Sequence, residues 1–198
     1  YGRRDFVLLS LLYDSGARVQ ELIDLTPPNI EFNDTATVKL CGKGNKARIV
    51  PLSKQQASNL KKYMYDEGLM KEDRHCVPIF CNFHGEKLSR VAVLNIVKKY
   101  AEIARKKSPD LIPENLGCHS FRHSKAMHLL EADINMGYIR DFLGQVSTTT
   151  TEIYARAREK KTLEALSRVN TGIIKEGKTT WQKDKSLLGY LKDLRTKY

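Results

Sequence analysis

His119-Ser120-Phe121-Arg122-His123, then Leu143-Gly144-Gln145, then Thr150-Thr151-Glu152-Ile153-Tyr154: this stretch decides how the chain is read. On a helix, residues three apart share one face. His119 and Arg122 therefore place a proton carrier and a fixed cation side by side. Tyr154 follows in a polar flank, where its hydroxyl need not be buried. A general acid or base, a permanently charged fork and a phenol together suit phosphoryl transfer.

Working outward, the helix that carries His119 and Arg122 is predicted to run to about Glu131, burying Phe121, Met127, Leu129 and Leu130. His123 and His128, on the same helix, read as structural. A short helix from Met136 to Leu143 stops at Gly144. Ser147 caps a further helix that carries Tyr154 and continues to about Val169. From Thr171 the composition shifts to glycine, threonine and lysine. A short amphipathic helix with Leu187, Leu188, Leu191 and Leu194 follows, too small to stand alone.

Toward the amino terminus, Phe6, Val7, Leu8, Leu9, Leu11 and Leu12 predict a helix over residues 4–13. Asp14-Ser15-Gly16 breaks it, and Ser15 is a candidate cap for a second helix containing Arg18 and Glu21. Taken on that segment alone, Arg18 and Glu21 are a surface ion pair. Residues 36–52 read as a β-hairpin whose turn is Gly42-Lys43-Gly44-Asn45-Lys46. Lys39, Lys43, Lys46 and Arg48 make it basic, which suits either a groove-entering tip or a solubilised turn. Ser53 caps a helix to residue 66, Pro78-Ile79-Phe80-Cys81 is strand-like, and Ser89 caps a helix to about Ala104. That helix offers Val91, Val93, Leu94, Ile96, Val97 and Tyr100 for burial. The fold class is mainly α with a small antiparallel β-sheet.

The 198 residues suffice for one sizeable domain, and no apolar run reaches membrane-spanning length. The start at Tyr1, without methionine or a signal peptide, reads as a piece of a longer protein. The charge of +11, from 34 Lys plus Arg against 23 Asp plus Glu, favours a polyanionic partner over a merely solvated basic surface. Cys41, Cys76, Cys81 and Cys118 form no C-x-x-C and read as reduced, mostly buried and cytoplasmic. His75-Cys76 and Cys81-x-x-His84 make a poor zinc site, and no metal or cofactor is expected.

Ser15-Gly16-Ala17-Arg18-Val19-Gln20-Glu21-Leu22, the Gly42–Lys46 turn, His119-x-x-Arg122-His123, Leu143-Gly144 and Thr150–Tyr154 occur in that order. Together they resemble the catalytic domain of the tyrosine recombinases, the phage integrase family, over residues 1–170. The resemblance implies that Arg18 and Arg122 clamp the scissile phosphate. It implies that Lys43 protonates the leaving 5′ oxygen, that His119 helps take the tyrosine proton and that Glu21 supports the site. Tyr154 would attack phosphorus and form a 3′-phosphotyrosyl link. Two guanidiniums can neutralise the transition-state oxygens without a metal, and the covalent link keeps the bond energy without ATP. Lys39, Lys46 and Arg48 are further candidate DNA contacts.

Gln145 departs from the family pattern, which places histidine or tryptophan nine residues before the nucleophile. Its amide can donate one neutral hydrogen bond but cannot shuttle a proton, so slower chemistry is expected. The implied partners are double-stranded DNA, a homotetramer on DNA, and accessory DNA-bending or directionality proteins. A helical core-binding domain would precede Tyr1, and residues 171–198 would dock in trans on a neighbouring protomer. The leading expectation is a mobile-element integrase. The alternatives are a recombinase that resolves chromosome dimers and a DNA-binding regulator on the same fold, weakened at Gln145.

Overall fold

A computed structural model describes residues 2–42 and 46–144. The chain opens with α1 (Gly2–Asp14), whose Val7, Leu8, Leu11 and Leu12 form one buried stripe at helical spacing. α1 lies against α3 (Lys54–Asp66) and α5 (Cys118–Glu131). Asp5 is buried on the same helix. It accepts from Arg4 Nε at 3.0 Å and from the Tyr100 hydroxyl at 3.3 Å, which ties α1 to α4 (Arg90–Lys107). A buried carboxylate requires such partners.

α2 (Val19–Ile23) follows with Arg18, not Ser15, at its N-cap position. Ser15 lies three residues too early; its buried hydroxyl donates back to the Leu11 carbonyl at 2.6 Å and accepts from the Ala17 N–H at 3.3 Å, closing the end of α1. Gly16 then turns the chain with φ +57°, a conformation that favours glycine.

Three short antiparallel strands lie in sequence order: β1 (Ile30–Glu31), β2 (Thr37–Cys41) and β3 (Ala47–Pro51). Val38 pairs with Val50, Lys39 with Ile49, and Leu40 with Arg48. Side chains alternate along a strand, and opposed residues share a face. Val38, Leu40, Arg48 and Val50 therefore point inward, while Lys39 and the exposed Ile49 point out. β1 was not foreseen; it is two residues long and has no periodicity to read.

Ser53 caps α3 as expected, its Oγ accepting from the Gln56 N–H at 3.3 Å. The expected strand at residues 78–81 is instead the base of a turn, with an isolated bridge between Cys81 and Lys87. Pro78 has no N–H for a ladder, and Ile79 spends its own on Leu25. In α4, Val93, Ile96, Val97 and Ala101 are buried, and Val91 falls outside their stripe and is exposed. In α5 the buried stripe is Arg122, Ala126 and Leu130. Phe121, Met127 and Leu129 are half-buried, because a charged residue occupies the inward line.

α6 (Met136–Leu143) packs against α5 and ends at Gly144, with φ +61°. The cysteines are less buried than expected: Cys41 and Cys76 are exposed, Cys81 and Cys118 intermediate. Cys41 faces outward because strand alternation puts it on the same side as Lys39. Among the described residues no helix is long and apolar enough to cross a membrane. Lys43, Gln145, Tyr154, the helix expected after Ser147 and residues 171–198 lie outside the described residues.

Candidate active site

Glu21 is the centre of the arrangement. Its carboxylate is buried and accepts four hydrogen bonds. Oε1 takes Arg18 Nη1 at 2.8 Å and Arg48 Nη1 at 2.9 Å. Oε2 takes the Arg18 backbone N–H and Arg48 Nη2, both at 2.8 Å. Four bonds fill the lone-pair sites of a carboxylate. Burial pushes the Glu21 carboxyl up. The donors from Arg48 and Arg18 outweigh it, so the group stays below the usual carboxylate range. Arg18 and Glu21 are thus far from a loose surface pair: the carboxylate is 3% exposed. The sequence could not show this, since burial comes from the sheet folding over α2.

A second convergence lies at the end of α6. The last carbonyls of a helix lack internal partners and carry its negative dipole end. Here three successive ones are each met by a different arginine. Arg48 Nε donates to Phe142 O at 3.0 Å. Arg122 Nη2 donates to Leu143 O. Arg18 Nη2 donates to Gly144 O at 3.2 Å. Gly144 is required by its left-handed backbone and by space, because a Cβ there would sit 3.0 Å from Arg48 Cδ.

Arg122 is 2% exposed and also donates from Nη1 to the Gly16 carbonyl at 2.7 Å. It joins the turn before Arg18 to the end of α6. Arg18 is the more open of the pair, with a side chain 44% exposed. The two expected phosphate-binding arginines therefore meet at adjacent carbonyls, one interior and one facing solvent.

His119 lies in the first turn of α5, its ring edge-on to His123 at 4.5 Å between centroids. Burial lowers its pKa, and His123, Arg122 and Arg18 lower it further by repulsion. Those causes place His119 within the field of both arginines. A neutral imidazole there can accept a proton. His128 meets the Tyr13 hydroxyl through Nδ1 at 2.7 Å, a structural contact as expected.

The hairpin is anchored beside this cluster. Gly42 donates to the Lys46 carbonyl at 3.0 Å, and a Cβ on Gly42 would lie 3.3 Å from Glu21 Oε1. The strand ends at Gly42 and Lys46 thus lie at the edge of the Arg18–Glu21 unit. Lys39 and Lys46 are exposed, as a DNA contact requires. Arg48 is not: its side chain is 12% exposed and three of its donors are held by Glu21 and Phe142. Its grouping with the surface lysines does not hold. The signal was present in the strand parity, which aligns Arg48 with Val38 and Val50.

Among the described residues no cluster of histidine, cysteine or acidic groups is arranged to hold a metal ion. The sequence matches the model of the phage integrase family over residues 2–161. It is 39% identical over 154 residues to the tyrosine recombinase XerD of Chlorobaculum tepidum, covering 76% of this chain and 48% of that protein. It is 33% identical over 166 residues to the tyrosine recombinase XerC of Thermodesulfovibrio yellowstonii, covering 82% and 53%. The chain thus spans about half the length of these relatives. The fold is similar to the XerH site-specific recombinase bound to palindromic difH substrate in a post-cleavage complex. That match has a TM-score of 0.69 and 26% identity, covering 83% of this chain and 45% of that one. The Tn1549 transposon integrase shares the fold with a TM-score of 0.60 at 18% identity, over 76% of this chain and 53% of that one.

Proposed function

The chain belongs to the phage integrase family, and from that premise we propose that it cuts and rejoins double-stranded DNA through a covalent tyrosine link. The observation that carries this reading is the meeting of Arg18 and Arg122 at adjacent carbonyls at the end of α6, with His119 one helical turn before Arg122 on α5. A phosphodiester in substitution gathers negative charge on its non-bridging oxygens. Arg18 offers solvent-facing donors to those oxygens, and Arg122 adds positive field from the interior, where charge is poorly screened. His119 takes the proton of the attacking phenol, assigned to Tyr154. Lys43 gives a proton to the 5′ oxygen as it leaves, and Gln145 donates one neutral hydrogen bond to the phosphate. The 3′-phosphotyrosyl bond then waits for a second 5′ hydroxyl.

Within this chemistry the relatives favour a Xer-type recombinase that resolves chromosome dimers, the alternative reading of the sequence, over a mobile-element integrase. Relatives named XerC and XerD match at 33% and 39% identity, whereas the transposon integrase, at 18%, supports the fold alone. The same reading has a homotetramer on DNA, with residues 171–198 docking in trans.

A pool of nicked duplexes made from the genome that encodes the chain tests both levels. The wild type should form a DNA-linked band on denaturing electrophoresis. Tyr154→Phe should form none while binding DNA with nearly unchanged affinity, since phosphate contacts dominate it. A single recurrent chromosomal site among the captured duplexes supports dimer resolution. Ends of a mobile element would return the integrase reading. Binding without any adduct from the wild type would leave the regulator.

A further inference from the structure

We propose that Arg48 is a positioning residue for strand cleavage, setting where Arg18 presents its guanidinium. The inference rests on the reading of the chain as a tyrosine recombinase, and it gives Arg48 a task other than touching DNA.

The argument is geometric. Arg18 has two anchors, the Glu21 carboxylate and the Gly144 carbonyl. Neither is fixed by Arg18 itself. Arg48 grips both. Its Nη1 and Nη2 form a fork on the two oxygens of Glu21, at 2.9 and 2.8 Å, which fixes the plane of the carboxylate. Its Nε holds Phe142 O at 3.0 Å, two residues before Gly144. One planar guanidinium thus sets the spacing between α2 and the end of α6, and Arg18 is stretched across that gap. Lysine cannot replace this, because an ammonium has no fork and no Nε.

The sequence neighbours agree. Arg48 comes inward on β3 opposite Leu40, in the only orientation that strand parity allows. Gly144 lacks a side chain where one would strike Arg48, and Gly42 lacks one where it would crowd Glu21. One glycine leaves room for Arg48 and the other for the carboxylate it holds. Among the described residues the charged groups that face Glu21 are Arg18, at the N-cap of its own helix, and Arg48 from β3.

Groups that orient a reacting residue from behind typically change activity by about 10- to 100-fold when altered. The test uses the full chain and the nicked-duplex pool, with three readouts: the single-turnover rate of adduct formation, the affinity for the pool, and the dependence of rate on pH. Arg48→Lys should retain the fold and lose about tenfold in rate, and Arg48→Gln about 100-fold, with affinity within about twofold of wild type. In Arg48→Gln the acid limb of the rate profile should move to higher pH, because Glu21 keeps its burial and loses half its donors. Glu21→Gln combined with Arg48→Gln should be no slower than the worse single variant, since both act through one unit. An Arg48→Lys rate equal to wild type overturns the proposal. So does a rate loss that merely tracks the unfolded fraction. If the wild type traps no duplex, the recombinase reading fails separately. The placement of Arg48 is then judged by the Arg18 side-chain N–H resonance, which must shift in Arg48→Lys and whose constancy would overturn it.

Discussion

His119 is where a single residue carries a measurable consequence. Burial, His123, Arg122 and Arg18 all oppose its protonation, so its pKa lies below the ordinary 6.5. The sign follows directly. Near neutrality the ring is uncharged and able to accept the phenol proton. Its contribution to the folded state is fully present above the ordinary value and is lost as pH falls through the lowered one. In the free protein the His119 ring proton should titrate by NMR with a midpoint below 6.5. Replacing His123 with alanine should raise that midpoint, and binding of a nicked duplex should raise it further, because phosphate favours the imidazolium. A midpoint at or above 6.5 in the free protein would remove His119 as a ready base. At this scale the helix that sets His119 and Arg122 three residues apart was readable in the sequence. It was not readable for Glu21, whose four bonds come from a residue beside it and from a strand 27 positions away.

The end of α6 is a device that only an element can provide. A helix terminus exposes carbonyls, a left-handed glycine turns the chain away, and three arginines from β3, α5 and the N-cap of α2 close on them. Gly16 and Gly144 are the two backbone positions this needs. Gly16→Ala would bring its Cβ to 2.8 Å from Leu143 Cδ2 at a positive φ, and should destabilise by about 2–4 kcal/mol. Gly144→Ala meets Arg48, whose end can shift, and should cost about 1–2 kcal/mol. It should nonetheless slow adduct formation more than Gly16→Ala does per folded molecule, because it displaces Arg48. Urea unfolding and single-turnover trapping measure the two effects. If Gly144→Ala changes neither, the cap has been misread. The elements most legible in sequence were those with a cap or a stop signal, such as α3 behind Ser53 and α6 ahead of Gly144. α5 was misjudged because its inward line is led by an arginine. Hydrophobic patterning cannot foresee a cation in the core, whose burial depends on carbonyls supplied by Gly16 and Leu143.

Over the whole molecule, the proposed function and a charge of +11 predict that DNA binding is driven by release of counterions, and the facing of each side chain predicts which charges take part. The order of motifs along the chain was legible because a family resemblance reads order; the facing of each charge was not, because that is a property of strands and helices once folded. Lys39 stands on the outward face of β2 and Lys46 at the exposed base of the turn, whereas Arg48 looks inward. Each phosphate neutralised contributes about −0.9 to the slope of log affinity against log salt. Lys39→Gln and Lys46→Gln should each make that slope shallower by about one and weaken binding to all duplexes alike. Arg48→Gln should leave the slope as it is, although it removes the same formal charge. Filter binding to a random-sequence duplex at several salt concentrations reads this directly. A slope reduced in Arg48→Gln as much as in the lysine variants would mean that Arg48 leaves Glu21 to meet the backbone of DNA, and the interior place assigned to it would fail in the complex.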